Sequence, residues 1–115
     1  MKKYEEYEDN LKAIESGDID GIKYALKLGG SLRFLAIAYI IHHNINTLEI
    51  ISILQALTKS EDWFSYGMRI YTSDISTAAL HRLGVEEYTG DRWQIRYFID
   101  ADFSWIDEET PNIDF

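Results

Sequence analysis

The 115-residue sequence contains no cysteine and a single proline, and it is poor in basic residues. Without cysteine the chain forms no disulfide, no thiolate nucleophile and no cysteine-ligated zinc or iron–sulfur site, and it fits a reducing compartment. Eleven Lys and Arg stand against twenty Asp and Glu, which gives a formal net charge of −9. A field of that sign repels nucleic-acid phosphates and attracts cationic surfaces, so the sequence predicts no nucleic-acid partner.

The sequence also has no long hydrophobic run. The first ten residues, MKKYEEYEDN, carry acids where a secretory signal peptide needs an apolar stretch. The most apolar segment, residues 32–41, is shorter than the roughly 20 residues that span a bilayer. We therefore expect a soluble, cytoplasmic protein without a membrane partner, whose oligomeric state the sequence leaves open.

The composition is that of one small globular domain. The sequence is 46% hydrophobic and 14% aromatic, which argues against wholesale disorder. We predict a single domain over residues 1–115. It has a helical part at about 1–60, a mixed α/β part at about 61–106 and an acidic tail at 107–115.

The segment from Leu32 to Ile41 predicts the central helix. Arg33 is the one charged residue in it, and a helix that is apolar on all sides must be covered on most of them. Leu48 to Leu57 has apolar residues at helical spacing behind the capping residue Thr47. The short connection between the two helices predicts that they pack back to back.

Two shorter helices precede the central one. The breaker Ser16-Gly17 separates them, Asp18 is placed to cap the second, and Gly29-Gly30 is placed to end it. The run from Ala13 to Gly30, AIESGDIDGIKYALKLGG, resembles the inner-helix end, turn and outer helix of an ankyrin repeat.

The ankyrin resemblance extends over residues 11–57, because LEIISILQAL from Leu48 is similar to a second outer helix. It implies a stack of helical hairpins. The chain departs from the pattern in that Ile19 and Leu48 are 29 residues apart, against a repeat of about 33, and the TPLH turn is missing. A plain bundle of helical hairpins explains the same residues.

The second half of the sequence is richer in aromatic and β-favouring residues. We predict a short strand, then a helix that Ser73 or Asp74 caps and Gly84 ends, and finally a β-hairpin. The fold class is therefore α+β, with an N-terminal stack of helical hairpins, a short helix and a C-terminal β-hairpin. The predicted strands are Met68 to Tyr71, Arg92 to Ile99 and Phe103 to Ile106.

Residues 78–94 resemble the helix-turn-helix of prokaryotic repressors. The run from Ala79 to Val85, ALHRLGV, with Arg92-Trp93 following, has the spacing of that motif, and the resemblance implies a transcriptional regulator. Glu86, Glu87 and Asp91 would then face phosphate and base edges, where their charge opposes binding. The alternative is a helix ended by Gly84 and a turn into the following strand, which we favour.

The sequence presents no catalytic or metal-binding motif. The segment beginning at Asp100 has Trp105 where a calcium loop needs glycine. His42 and His43 are adjacent on a helix, so their side chains should diverge by about 100° and fail to share one ion. P-loop, G-x-S-x-G and H-E-x-x-H signatures are missing. We predict a protein without enzymatic activity, cofactor or metal; a small enzyme of another type stays an alternative.

The acids from Asp100 onward predict a partner-binding segment. Six acids occur there without a Lys or Arg, so a basic partner meets no internal competition for them. Aromatic anchors and acidic rims are typical of protein interfaces. We therefore predict a protein-binding module. The functional class that we expect is an inhibitor of a basic, nucleic-acid-acting protein, of the immunity or phage anti-defence type. The candidate contact residues are Asp100, Asp102, Phe103, Trp105, Asp107, Glu108 and Glu109.

Overall fold

The computed structural model describes residues 7–108, in which six α-helices and a two-stranded antiparallel sheet enclose a hydrophobic core. This arrangement is compatible with the predicted α+β class. The helices are α1 (Tyr7–Glu15), α2 (Ile19–Leu28), α3 (Gly30–His43), α4 (Leu48–Leu57), α5 (Thr72–Arg82) and α6 (Trp93–Asp100), and the strands are β1 (Trp63–Ser65) and β2 (Arg69–Tyr71). A 3₁₀ helix at Ser104–Asp107 follows α6.

Helix α3 is the buried centre of the fold, as its apolar run predicts. Every residue from Leu32 to Ile41 except Tyr39 is buried. Helices α2 and α5, the sheet and the 3₁₀ helix all pack on α3. Because these elements come from both halves of the sequence, the hydrophobic core extends from Ile14 to Ile106.

The predicted caps of α2 and α4 are confirmed. The Asp18 side chain accepts a hydrogen bond from the Asp20 N–H, and that of Thr47 accepts one from the Ile50 N–H. Gly29, at the end of α2, has a φ of 97°, a conformation that glycine adopts without a Cβ penalty. Local sequence signals therefore set these helix ends.

Two other local predictions are wrong. Helix α5 begins at Thr72, so Ser73 and Asp74 lie in its first turn, and the capping residue is Tyr71, without a side-chain hydrogen bond. Helix α4 packs mainly on α5, although its short connection to α3 predicted a back-to-back pair. The buried face of α4 contains Ile50 and Leu54, and α4 packs on α5 with a smaller contact to α2.

The predicted C-terminal β-hairpin is also wrong. Residues 92–99, predicted as a strand, lie mostly in α6, and residues 103–106 lie mostly in the 3₁₀ helix. The only β-pairing among the described residues is β1 with β2, in the register Trp63↔Tyr71, Phe64↔Ile70 and Ser65↔Arg69. The predicted strand at 68–71 is thus confirmed as β2, and its partner precedes it.

A buried glutamine explains why the segment RWQIRYFI is helical. Gln94 in the first turn of α6 accepts a hydrogen bond from the Tyr71 N–H at 2.8 Å and donates one to the Arg69 carbonyl at 2.9 Å. Its amide thus satisfies the free edge of β2, and Ile95 and Phe98 on the same helix face enter the core. An alternating strand would expose part of this set.

Arg33 joins four parts of the fold. Its side chain is 8% exposed, and its Nε donates to the Leu26 carbonyl at 2.6 Å, in the last turn of α2. Its Nη1 lies 3.2 Å from both carboxylate oxygens of Asp62 and 3.3 Å from the Thr72 hydroxyl. The buried charge is therefore paired with the exposed carboxylate of Asp62 and supplies a donor to a helix carbonyl that needs one.

Within residues 7–108, no helix combines the length and the apolar content that crossing a bilayer requires.

Candidate functional site

The side chain of Phe34, in the first half of α3, is the centre of an aromatic cluster. Its ring lies between 4.8 and 6.3 Å, centroid to centroid, from five other aromatic rings. These separations are those of favourable aromatic pairs. The surrounding rings are those of Phe64, Tyr66, Phe98, Phe103 and Trp105.

One side of this cluster is open and forms a pocket of about 610 Å³. The β1–β2 hairpin supplies one wall, α6 and the segment after it supply the other, and Phe34 lies between them. We call this feature the aromatic pocket. Its lining residues are Phe34, Tyr66, Met68, Ile70, Tyr97, Phe98, Asp100, Ala101, Asp102, Phe103 and Trp105.

Two exposed carboxylates belong to the aromatic pocket. Asp100 is the last residue of α6, and Asp102 follows in the turn that leads to the 3₁₀ helix. Asp102 accepts a hydrogen bond from the Ser104 N–H at 2.9 Å. This bond and one from the Ser104 hydroxyl hold the pKa of Asp102 below its usual value. Asp102 is therefore ionised at neutral pH and gives the pocket a negative charge.

The structure brings four of the seven predicted contact residues to this pocket. Asp100 and Asp102 are exposed, Trp105 is half-buried, and Phe103 is only 3% exposed because it stacks on Phe98 at 6.2 Å. Phe103 therefore forms part of the pocket wall and of the core, whereas Trp105 keeps an accessible face. Trp105 also stacks on Phe34 at 6.0 Å.

The remaining predicted contact residues lie elsewhere. Asp107 is exposed but contacts two histidines outside the aromatic pocket. Glu108 is exposed, and its backbone N–H donates to the Trp105 carbonyl. Glu109 and the rest of the predicted acidic tail lie outside the described residues. The segment is thus divided between two surfaces, although it is continuous in sequence.

The pocket wall includes residues that sequence reasoning did not assign to it. Tyr97 lines the pocket and is 51% exposed. Trp93, one turn earlier on α6, is 65% exposed and lies beside the lining, with its ring centroid 6.1 Å from that of Tyr97. Their spacing of four places both on one face of a helix. Reading this segment as a strand put them on the face of Ile95, which is in fact buried. Phe34 and Met68 carry no sequence signal for a site, because single apolar residues read as core.

Asp107 brings His42 and His43 together. Asp107 Oδ2 lies 3.3 Å from Nε2 of His42, and Oδ1 lies 2.8 Å from Nε2 of His43. The two side chains were predicted to diverge, and this prediction is wrong for their Nε2 atoms, which both lie beside Asp107. The Cβ directions do differ by about 100° on a helix, but the side chains are long enough for both rings to reach a carboxylate between them.

With this geometry described, we compared the chain with protein-family models, with curated proteins and with solved structures, and found no match in any of the three.

Proposed function

We propose that this chain is a small, non-enzymatic binding protein that docks on a basic surface of a partner protein. The observation that carries the proposal is the aromatic pocket, in which Asp100 and Asp102 accompany several aromatic rings. The net charge of −9 supports it, since an acidic surface accelerates encounter with a basic partner. Immunity-type and phage anti-defence inhibitors of nucleic-acid-acting proteins are the class that this profile suggests.

The pocket suits an arginine side chain better than an uncharged one. A guanidinium stacks on aromatic faces, with about 0.5–2 kcal/mol gained for each such contact. The exposed faces of Tyr97 and Trp105 offer that surface, and the carboxylates of Asp100 and Asp102 supply acceptors for its N–H groups. We therefore propose that an arginine of the partner enters the aromatic pocket.

The ionised form of Asp102 suits a binding role better than acid catalysis. A carboxyl group that donates a proton at neutral pH needs a raised pKa. Asp102 has the opposite shift because Ser104 hydrogen bonds stabilise its charged form. A permanent negative charge suits pairing with a cation.

The N-terminal helices act as the support of this site in our proposal. Following the ankyrin-like pattern at 11–57, α1 and α2 form a helical hairpin that stacks on α3. The packing of α1 on α2 and of α2 on α3 supports this, as does the bond from Asn10 Nδ2 to the Gly21 carbonyl at 3.0 Å. The stack then presents Phe34 to the aromatic pocket.

The test is titration of the untagged protein with a short arginine-rich peptide, followed by tryptophan fluorescence and calorimetry. Saturable binding is expected for the wild-type protein. The double variant Asp100→Asn/Asp102→Asn should bind about fivefold more weakly at low salt, because each exposed ion pair contributes about 0.2–1 kcal/mol. Trp105→Ala should also weaken binding, through loss of a stacking surface.

The matched control is Glu87→Gln/Asp91→Asn, which removes the same charge from an exposed loop between α5 and α6. Equal weakening by the control pair and the pocket pair would show that only net charge matters and would reject the pocket as the site. If the pocket pair binds more weakly than the control pair, lysates are searched for the natural partner with the wild type and the pocket variant in parallel.

The same preparation should be tested with duplex DNA, since the helix-turn-helix resemblance at 78–94 proposes a transcriptional regulator instead. Residues 83–92 between α5 and α6 carry Glu86, Glu87 and Asp91 and contain no helix. We expect no sequence-selective DNA binding at about 0.15 M salt. Submicromolar selective binding would replace the present proposal with the regulator.

A further inference from the structure

Three groups that commonly bind transition metals converge at the C-terminal end of α3. One ring nitrogen each of His42 and His43 and one carboxylate oxygen of Asp107 all lie within 4.8 Å of one another. All three side chains are at the surface, so an ion can reach them from solvent. This cluster is separate from the lining of the aromatic pocket.

The fold holds the two histidines in place on one side. Asn44 ends α3 in the left-handed conformation, with φ 54° and ψ 50°, and its N–H bonds to the carbonyls of Ile40 and Ile41. The His43 ring stacks on Tyr39, one turn earlier, at 4.1 Å between centroids. The helix end is therefore regular up to the ligands, and one imidazole is oriented by an aromatic neighbour.

The third group, the carboxylate of Asp107, lies 64 residues after His43 in the sequence. Asp107 ends the 3₁₀ helix, which packs on α3. Its neighbour Ile106 is buried and ties this segment to the core. The approach of Asp107 to the histidines is thus a consequence of tertiary packing.

We propose that His42, His43 and Asp107 form a binding site for a divalent transition-metal ion, with Zn²⁺ as its typical occupant. Two imidazole nitrogens and one carboxylate oxygen form a donor set that zinc accepts with a fourth position open to water. Imidazole also suits other late first-row ions, whereas Ca²⁺ and Mg²⁺ require oxygen ligands. The site therefore selects against the alkaline-earth ions.

The observed distances need only small adjustments. Tetrahedral ligands at about 2.1 Å from zinc are about 3.4 Å from one another. Nε2 of His42 lies 3.3 Å from Oδ2 of Asp107 and Nε2 of His43 lies 2.8 Å from Oδ1, so coordination through one oxygen requires the carboxylate to turn. The ring nitrogens of the two histidines are within 4.8 Å of each other, so rotation of the exposed side chains has to bring them closer by at most about 1.4 Å to reach tetrahedral spacing.

The proton balance is simple. Each neutral imidazole coordinates through unprotonated Nε2, so the proton that hydrogen-bonds Asp107 moves by way of solvent to Nδ1. The carboxylate binds in its charged form. No net proton is released when both rings are neutral before binding.

Binding of the ion would connect the 3₁₀ helix to α3 by coordinate bonds. Trp105 lies two residues before Asp107 and forms part of the aromatic pocket. The ion would therefore fix the wall of the pocket that Trp105 forms. The metal site stands on its own donors, and its failure leaves the proposal for the pocket intact.

The test is calorimetric titration of the untagged full-length chain with Zn²⁺, together with the visible spectrum after addition of Co²⁺. We expect one ion per chain in the micromolar range, and a tetrahedral Co²⁺ spectrum. Asp107→Asn, His42→Gln and His43→Gln should each weaken binding at least tenfold. Asp91→Asn, which removes an exposed carboxylate of the loop between α5 and α6 outside both sites, is the matched control and should bind like the wild type.

A thermal shift measurement separates folding from binding. Zn²⁺ should raise the melting temperature of the wild type and of Asp91→Asn, because a ligand that binds only the native state stabilises it. Circular dichroism checks that each variant is folded. The proposal is overturned if Zn²⁺ shows no saturable one-to-one binding below about 0.1 mM, because weaker binding would add little to the stability of the native state. It is also overturned if Asp107→Asn binds Zn²⁺ as tightly as the wild type.

Discussion

Replacement of the buried Arg33 by Met tests what the one charged residue in the central run of α3 contributes to folding. Methionine keeps most of the side-chain volume and removes the donors. The Leu26 carbonyl, in the last turn of α2, then loses a bond of 2.6 Å, and the buried Thr72 hydroxyl loses a partner at 3.3 Å. The substitution therefore leaves two polar groups short of a hydrogen bond.

The expected cost is about 2–3 kcal/mol in the free energy of unfolding. A hydrogen bond to a charged group contributes about 1.5–3 kcal/mol, and a buried acceptor left unpaired costs about 1–3 kcal/mol. Removing a desolvated charge offsets part of this. The Asp62 side chain is 59% exposed, so Asp62→Asn should cost only about 1 kcal/mol.

Urea unfolding followed by circular dichroism measures both values. Arg69→Met is the control, because Arg69 is exposed and its guanidinium lies over the Trp63 ring at 4.0 Å, a contact of at most about 1 kcal/mol at the surface. The reasoning fails if Arg33→Met unfolds within about 0.5 kcal/mol of the wild type, near the resolution of such comparisons. It also fails if Asp62→Asn is the more damaging change.

The pH dependence of the Asp62 variant adds a second readout. Hydrogen bonds from Ser60 first, and then from Thr72 and Arg33, lower the pKa of Asp62 in the folded state. Its contribution to stability is therefore present above the unfolded pKa of about 3.9 and is lost as the pH falls through the lower folded value. The difference between Asp62→Asn and the wild type should shrink as the pH decreases below about 4.

Two further substitutions test the core and a turn. Ile37→Asp places a charge in the fully buried centre of α3 and should lower the free energy of unfolding by several kcal/mol, whereas Ile37→Val should lower it by about 0.5–1.5 kcal/mol. An Ile37→Asp variant that folds cooperatively and melts near the wild type would show that the core is elsewhere. Gly17 and Gly67 have φ values of 77° and 76°, but only at Gly17 would a Cβ meet another group, the Tyr39 hydroxyl at 2.6 Å. Gly17→Ala should therefore lower the melting temperature more than Gly67→Ala, and equal losses would show that backbone strain alone decides.

Local signals in the sequence determined the helices of the first half and several of their ends, but not how α4 packs. An uninterrupted apolar run can only be stable when covered, which made α3 central. Asp18 and Thr47 each place an acceptor over free N–H groups at a helix start, and glycine tolerates the positive φ at Gly29. These effects act over a few residues, so a sequence alone expresses them.

The C-terminal part was decided by tertiary contacts. The segment from Arg92 to Ile99 has aromatic and apolar residues that fit either an alternating strand or one helix face. The Gln94 amide bonds to the backbone of β2 and the burial of Phe98 beside Phe34 select the helix. Neither partner is near in sequence, and propensity is too weak to overrule them.

In the two candidate sites, too, the sequence predicted part of the arrangement and tertiary packing determined the rest. From their composition, the acids and aromatic residues from Asp100 to Glu109 were predicted to form a partner-binding segment. The sequence did not place Phe34 behind them, nor His42 and His43 beside Asp107. These contacts are between residues about 60 or more positions apart in the sequence, and they follow from the packing of the 3₁₀ helix on α3. Composition therefore predicted which chemistry is present, and only the packed core determined which groups meet.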